Sequence, residues 1–269
     1  EAIRILSQDN MIIGFEDDNS WIRVGIHQFY GIEINDFAVA TATTALWIAE
    51  AQMMRETENI IHQDMDFFPL KSYTNIVEGN ALRMDWNEVV PAEELSYIMG
   101  NPPFVGGMIQ SKEQKQDMIS VFGNKLKGLG ELDYVAAWYR VTANLMNENP
   151  ALSAAFVSTN SISQGEQVSI LWEPLSQDGI IINFAHQTFV WDSESNSKAH
   201  VHVVIVGFSK KDSKDKVIYT STGPCNASHI NGYLTDAPDI FLLNVSGPTC
   251  EVPPIAVGNM PRDAGGFIL

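Results

Sequence analysis

Cysteine is nearly absent from this chain of 269 residues, with Cys225 and Cys250 its only two. Both stand in loop-like stretches without a second pair, which excludes a zinc ribbon or a disulfide scaffold and predicts free thiols. Positive charge is scarce as well. Sixteen Lys and Arg face 33 Asp and Glu, for a formal net charge of −17. A chain so charged repels a phosphate backbone at long range, so its own grip on duplex nucleic acid is expected to be weak. No apolar stretch approaches the roughly 18 to 20 residues needed to span a bilayer. The first residues, Glu1-Ala2-Ile3-Arg4, carry no signal-peptide pattern. The reading is a cytoplasmic protein with no membrane partner. Glycine is thin near the start: Gly14 and Gly25 alone precede Gly31, and neither belongs to a Gly-x-Gly turn.

What is present describes a globular α/β protein. With 45% apolar and 18% charged residues, the chain can bury a sizeable core in one large domain. Strands are predicted at Phe29 to Ile34, Asn75 to Val77, Tyr97 to Met99, Ala154 to Ser158, Ile180 to Phe184 and His200 to Phe208. Helices are predicted at Ala38 to Met54, where apolar residues recur at Ala42, Leu46, Ala49 and Met53, and at Ser111 to Phe122, Tyr134 to Met146 and Gln164 to Leu175. This alternation is the pattern of a doubly wound sheet. Ser209 to Asp215 is predicted to be a hairpin loop before Val217-Ile218-Tyr219. From about Gly223 the chain turns proline-rich and reads as a connector, dividing it into 1–222 and 223–269.

The chemistry lies in Asn101-Pro102-Pro103-Phe104, at the end of the apolar run Leu95 to Gly100. Two successive prolines lack N–H groups and fix φ, so the loop is stiff and its carbonyls stay outside any regular ladder. The Asn101 side-chain oxygen and the Pro102 carbonyl can accept the two hydrogens of an amino group, while Phe104 offers a flat face for a base. Glu33, ending the strand Phe29 to Ile34, stands where a carboxylate can accept both hydroxyls of a ribose.

With Ile98-Met99-Gly100 leading in and Val105-Gly106-Gly107 leading out, this segment resembles motif IV of the N6-adenine DNA methyltransferases. Other pieces resemble that family in order. Glu33 looks like its motif II acid. Ile76 to Leu82 is similar to its third strand and loop, with Asn80 where the family usually has an aspartate contacting the adenine amine of the methyl donor. Leu132-Asp133-Tyr134 opens a helix as motif V does, and Ala154 to Ser161 is similar to motif VI. Phe184 to Trp191 and the strand His200 to Phe208 resemble motif VIII and its following strand in single-chain (type IIL) restriction–modification enzymes. Ile230 to Leu234, Val252-Pro253-Pro254 and Gly258 to Pro261 resemble the exit toward a target-recognition region.

The resemblance implies a Rossmann-like methyltransferase sheet and S-adenosyl-L-methionine as methyl donor. It also implies catalysis by Asn101, Pro102, Pro103 and Phe104. Donor contacts are implied from Glu33, Ile34, Asn80, Ala81, Asn101 and Asp133. The partner implied is double-stranded DNA, with an adenine flipped out of the stack. Asp85, five residues past Asn80, is read as a surface residue. His186, His200 and His202 are read as strand residues rather than metal ligands, since methyl transfer needs no metal. The lysines of Ser209 to Lys216 read as a solvated loop; Lys112, Lys115, Lys125 and Lys127 flank the place where an extruded nucleotide would enter.

The family's motif I, a glycine-rich turn expected before Glu33, is missing, and Glu1 is not a start methionine. The chain is therefore expected to be a catalytically inactive fragment lacking motif I and most of the recognition domain. In the family the first strand lies between the strand ending at Glu33 and the one ending near Asn101. Its loss would leave two apolar edges that pair with each other, accept another segment, or join two copies in a homodimer. Two other functions stay open. Asn-Pro-Pro motifs also serve methyltransferases acting on a protein glutamine or an RNA base, although Phe104 and Phe184 to Trp191 favour DNA. The isolated chain could equally be a noncatalytic scaffold.

Overall fold

Eight strands and four α-helices make up the computed structural model, whose described residues are 24–62, 75–191 and 201–242. The first unit is β1 (Tyr30–Glu33), helix α1 (Asp36–Ile61) and β2 (Asn75–Glu78). Asn35 starts α1 by accepting a 2.9 Å hydrogen bond from the Ala38 amide, and His62 ends it in the left-handed conformation. The helix runs well beyond the predicted Ala38 to Met54, because no breaker interrupts the sequence between these caps. Strands β1 and β2 pair in parallel with Glu33 opposite Glu78, so their carboxyl ends are level.

A six-stranded sheet holds the rest: β3 (Tyr97–Gly100), β4 (Ser153–Thr159), β5 (Ile181–Trp191), β6 (Val201–Ser209), β7 (Lys216–Thr220) and β8 (Gly223–Ala227). Their order is β3-β4-β6-β5-β7-β8. Strands β3 and β4 are parallel, whereas β6 runs antiparallel to both β4 and β5. Helices α2 (Lys112–Phe122), α3 (Ala136–Glu148) and α4 (Gly165–Gln177) complete the fold.

The core is aromatic at its centre. Tyr139 of α3 is fully buried, stacks on Phe208 and meets Phe156 and Trp172 edge-on at centroid distances of 5.1 to 5.4 Å. Its hydroxyl is hydrogen-bonded to the buried Ser158 hydroxyl at 2.8 Å, so the ring enters the core without stranding its polar end.

The structure corrects three expectations. Ser209 to Asp215 is not a hairpin loop, because β5 lies between β6 and β7 and pairs with both. The connection passes over the end of β5, where Asn183 fixes it by donating to Ser209 Oγ and the Lys211 carbonyl and accepting from the Ser213 amide. Next, the stretch after 222 does not begin as loop. Strand β8 pairs antiparallel with β7, and Ile230 and Leu234 are buried in the main core. Finally, of the three outcomes expected for the edges of β1 and β3, direct pairing is not formed: among the described residues β1 pairs with β2 alone and β3 with β4 alone. Tyr97 and Met99 of β3 are 75% and 79% exposed as a result. Residues 1–23, His200 and Cys250 lie outside the described residues, as does the proline-rich stretch from 243.

Candidate active site

Asn101-Pro102-Pro103-Phe104 follows β3 directly, outside any helix or strand, as two consecutive prolines require. Pro102 is buried, Phe104 half-buried, and Asn101 and Pro103 are exposed. The Asn101 side chain has no hydrogen-bond partner among the described residues, so its acceptor and donor groups are available to a ligand.

The loop, stiffened by its own prolines, is held in place by the limb that follows. The Tyr134 amide donates to the Val105 carbonyl at 2.8 Å, and the buried Gln110 side chain donates to the Leu132 carbonyl at 2.9 Å. Between them Gly107 comes so close to residues 130–132 that a Cβ would stand 2.4 Å from the Gly130 carbonyl oxygen. The three nearest atoms, the Gly130 and Leu132 carbonyl oxygens and the Glu131 carbonyl carbon, are all backbone and cannot rotate away. Gly107→Ala is accordingly expected to displace the limb and destabilise the fold by about 1–3 kcal/mol, read as a lowered thermal midpoint; an unchanged midpoint would show that the limb is soft.

Asp133 stands behind this limb. Its carboxylate accepts hydrogen bonds from Thr159 Oγ1 at 2.6 Å, Ser161 Oγ and Gln167 Nε2 at 3.1 Å, while Gln167 also accepts from the Asp133 amide. The end of β4, the start of α4 and the segment before α3 are thereby joined at one buried carboxylate, with Oδ1 facing Gly106.

Of the expected donor-side residues, Glu33, Ile34, Asn80 and Ala81 lie at the ends of β1 and β2, whereas Asn101 follows β3 and the Asp133 carboxylate is taken up by Thr159, Ser161 and Gln167. Glu33 is half-exposed, and its carboxylate has no hydrogen bond or ion pair among the described residues, which leaves all its lone pairs for hydroxyl donors. Its backbone carbonyl accepts from the Gly79 amide at 2.7 Å, fixing the two strand ends together. Ile34 is 63% exposed beside it. The Ala81 carbonyl accepts from the Trp86 indole at 2.7 Å. Asp85 is a cap, accepting from the Asn87 amide at the start of the turn Trp86–Glu88. His186 is occupied by ring contacts with Phe189 and Tyr219, and His202 is exposed on β6.

A group that sequence reading missed links the two halves. Asp117 of α2 is buried and receives Arg83 Nε at 2.7 Å, Arg83 Nη2 at 3.2 Å, the Tyr134 hydroxyl at 2.8 Å and Asn80 Nδ2 at 3.5 Å. Burial alone would raise its pKa, but the Arg83 and Tyr134 hydrogen bonds, the Arg83 charge and the Asn80 amide outweigh it and hold the carboxyl below its usual range. Burial, reinforced by the same carboxylate, pushes the Tyr134 phenol up to about 12. The ion pair is thus a carboxylate with a neutral phenol beside it at neutral pH. Tyr134 therefore holds the Asn101 to Gly107 limb through its backbone and the Asn80 loop through its hydroxyl and Asp117. A signal for Asp117 was available: it shares the inward face of α2 with Gln114, Met118 and Val121, where a lone acid needs a partner.

A carboxylate at the end of one parallel strand, an amide at the next and an Asn-Pro-Pro-Phe loop leaving a partly antiparallel sheet fit the mixed α/β fold of a methyltransferase. The protein-family model described as "MmeI, DNA-methyltransferase domain" matches residues 2–220, and the chain belongs to that family. DNA methyltransferase A of Bacillus subtilis (strain 168) is 44% identical over 249 residues, 91% of this chain and 28% of that protein. The structure of the type IIL restriction-modification enzyme MmeI in complex with DNA is 40% identical, with a TM-score of 0.83. That match covers 94% of this chain and 36% of the MmeI chain. The chain spans well under half the length of these relatives. No helix among the described residues is long and apolar enough to cross a membrane.

Proposed function

We propose that the protein, in its natural full length, transfers a methyl group from S-adenosylmethionine to N6 of an adenine flipped out of duplex DNA, as the modification part of a restriction–modification system. The observation that carries this reading is the Asn101 to Phe104 loop, rigidly backed and presenting an unengaged amide beside a half-buried aromatic ring. The acceptor set suits the donor as well. Glu33 offers an unpaired carboxylate to ribose hydroxyls, Ile34 an apolar face, and Asn80 an amide oxygen with one lone pair beyond that taken by the Leu82 amide at 2.9 Å.

S-adenosylmethionine, when bound, supplies an electrophilic methyl group on a sulfonium. Asn101 Oδ1 and the Pro102 carbonyl accept the two N6 hydrogens, drawing the amine toward a tetrahedral nitrogen whose lone pair is directed at that methyl. Phe104 holds the base by stacking, and Pro103 keeps the loop from relaxing. No strong base is required, because positioning supplies most of the rate, and the surplus proton leaves to solvent. Asp133 acts from behind, joining the end of β4 and the start of α4 to the segment that backs the limb. The net charge of −17 leaves most of the duplex grip to parts of the protein beyond these residues.

The test is transfer of labelled methyl from S-adenosylmethionine to duplex DNA by the full-length protein, followed by mass spectrometry of the nucleosides. Label in N6-methyladenine is expected. Label in N4-methylcytosine, in RNA or in a protein glutamine would overturn the assignment.

A further inference from the structure

Asn80, in the loop after β2, and Asp117, on α2, come together from positions 37 apart in the chain, with 3.5 Å between the Asn80 amide nitrogen and the Asp117 carboxylate. The Asn80 oxygen meanwhile accepts from the Leu82 amide at 2.9 Å. These two contacts fix which way the amide points, because a flipped amide would aim its oxygen at a buried carboxylate and its NH2 at a backbone donor. Asp117 is itself held from two other sides, by Arg83 and by the Tyr134 hydroxyl, so it cannot swing away to relieve a clash.

This geometry explains why position 80 is an amide. An aspartate there would set a second carboxylate against Asp117 at about the same separation, with the single Arg83 cation already paired to Asp117, a like-charge contact that a partly buried site disfavours. We propose that the negative charge of the donor-binding site stands one hydrogen bond behind position 80, on Asp117, which acts through Asn80 as a positioning residue. The Asp117 carboxylate orients the Asn80 amide and, by drawing on its N–H, enriches the amide oxygen that accepts the exocyclic amine of the donor's adenine. Through Tyr134, the same carboxylate ties the donor loop to the limb behind the Asn-Pro-Pro-Phe loop. The inference rests on the reading that Asn80 faces S-adenosylmethionine.

The test is calorimetric binding of S-adenosylhomocysteine to the full-length protein and its variants, with thermal midpoints measured alongside. Asp117→Asn and Asn80→Asp are each expected to weaken binding about tenfold or more, the first by removing the charge and the second by opposing two charges. The double variant Asn80→Asp/Asp117→Asn restores one carboxylate and one amide in exchanged places and is expected to recover most of the affinity. Tyr134→Phe, which removes a hydrogen bond but leaves the charge, is expected to change affinity less than Asp117→Asn does. Recovery cannot come from a merely structural Asp117, because the exchange would not repair a lost packing contact. If the double variant binds as weakly as the worse single variant, or if Asn80→Asp binds like wild type, the proposed role of the Asp117 charge is overturned. If the wild-type protein binds no S-adenosylhomocysteine while remaining folded, the donor-site reading itself fails, and the inference falls with it.

Discussion

Asn101→Ala is expected to lower the rate of methyl transfer by the full-length protein about 10²–10³-fold at saturating donor and DNA, the scale seen when one preorganised dipole aimed at developing charge is removed. In the proposed mechanism the target nitrogen gains positive character during transfer, and the Asn101 oxygen is one of the two acceptors that would receive its hydrogens. The other, the Pro102 carbonyl, remains in the variant, so residual activity is expected. Stability should hardly change. Asn101 is exposed and its side chain has no partner among the described residues, and substitutions at such positions usually shift stability by less than about 0.5 kcal/mol. Single-turnover kinetics with a thermal melt of the same preparation separates the two effects. An undiminished rate would remove Asn101 from the chemistry.

Tyr139→Ala is expected to have the largest effect on folding. The ring is fully buried against Phe156, Trp172 and Phe208, and its loss would open a cavity where α3 and α4 meet the sheet. Truncation of a buried aromatic of this kind costs about 3–5 kcal/mol, which for a domain of this size lowers the thermal midpoint by roughly 10 °C. Tyr139→Phe divides that cost. It keeps the ring and removes the hydroxyl bonded to Ser158, leaving the buried serine without its partner at about 1–3 kcal/mol. Equal losses in the two variants would mean that the hydrogen bond, rather than the ring packing, holds this part of the core.

The two substitutions separate along the architecture of the molecule. Asn101 lies on a loop whose support is all on its far side, through Val105, Gly107 and Gln110, so its exposed face is free for chemistry. Tyr139 lies where helices and sheet converge, so its contribution is to hold β4, whose carboxyl end carries the Thr159 and Ser161 partners of Asp133. A weakened core would reach the Asn101 loop through that buried carboxylate and through β3, which pairs with β4 and leads into the loop.

The sequence by itself determined the local elements and singled out the loop proposed to hold the target base. Periodicity located α2, α3, α4 and seven of the eight strands within a few residues, though it cut α1 and β5 short. The Asn-Pro-Pro-Phe segment was legible because its stiffness is a property of the prolines themselves. Strand β8, Gly223–Ala227, was hidden because glycine and proline argue for a turn, and only pairing with β7 makes it a strand. The passage of Ser209 to Asp215 over β5 was hidden too, since nothing in a six-residue loop tells which strand lies beside the next one. Asp117 was the largest omission. Its position on the inward face of α2 could be read, but its partners Arg83, Asn80 and Tyr134 come from two distant segments. Tertiary structure alone decided that Asn80 is paired with a buried acid and that Tyr134 bridges the two halves of the site. The physical reason is that side-chain periodicity and backbone restriction act over a few residues, whereas the sign and placement of charge in a site depend on which segments packing brings within hydrogen-bonding distance.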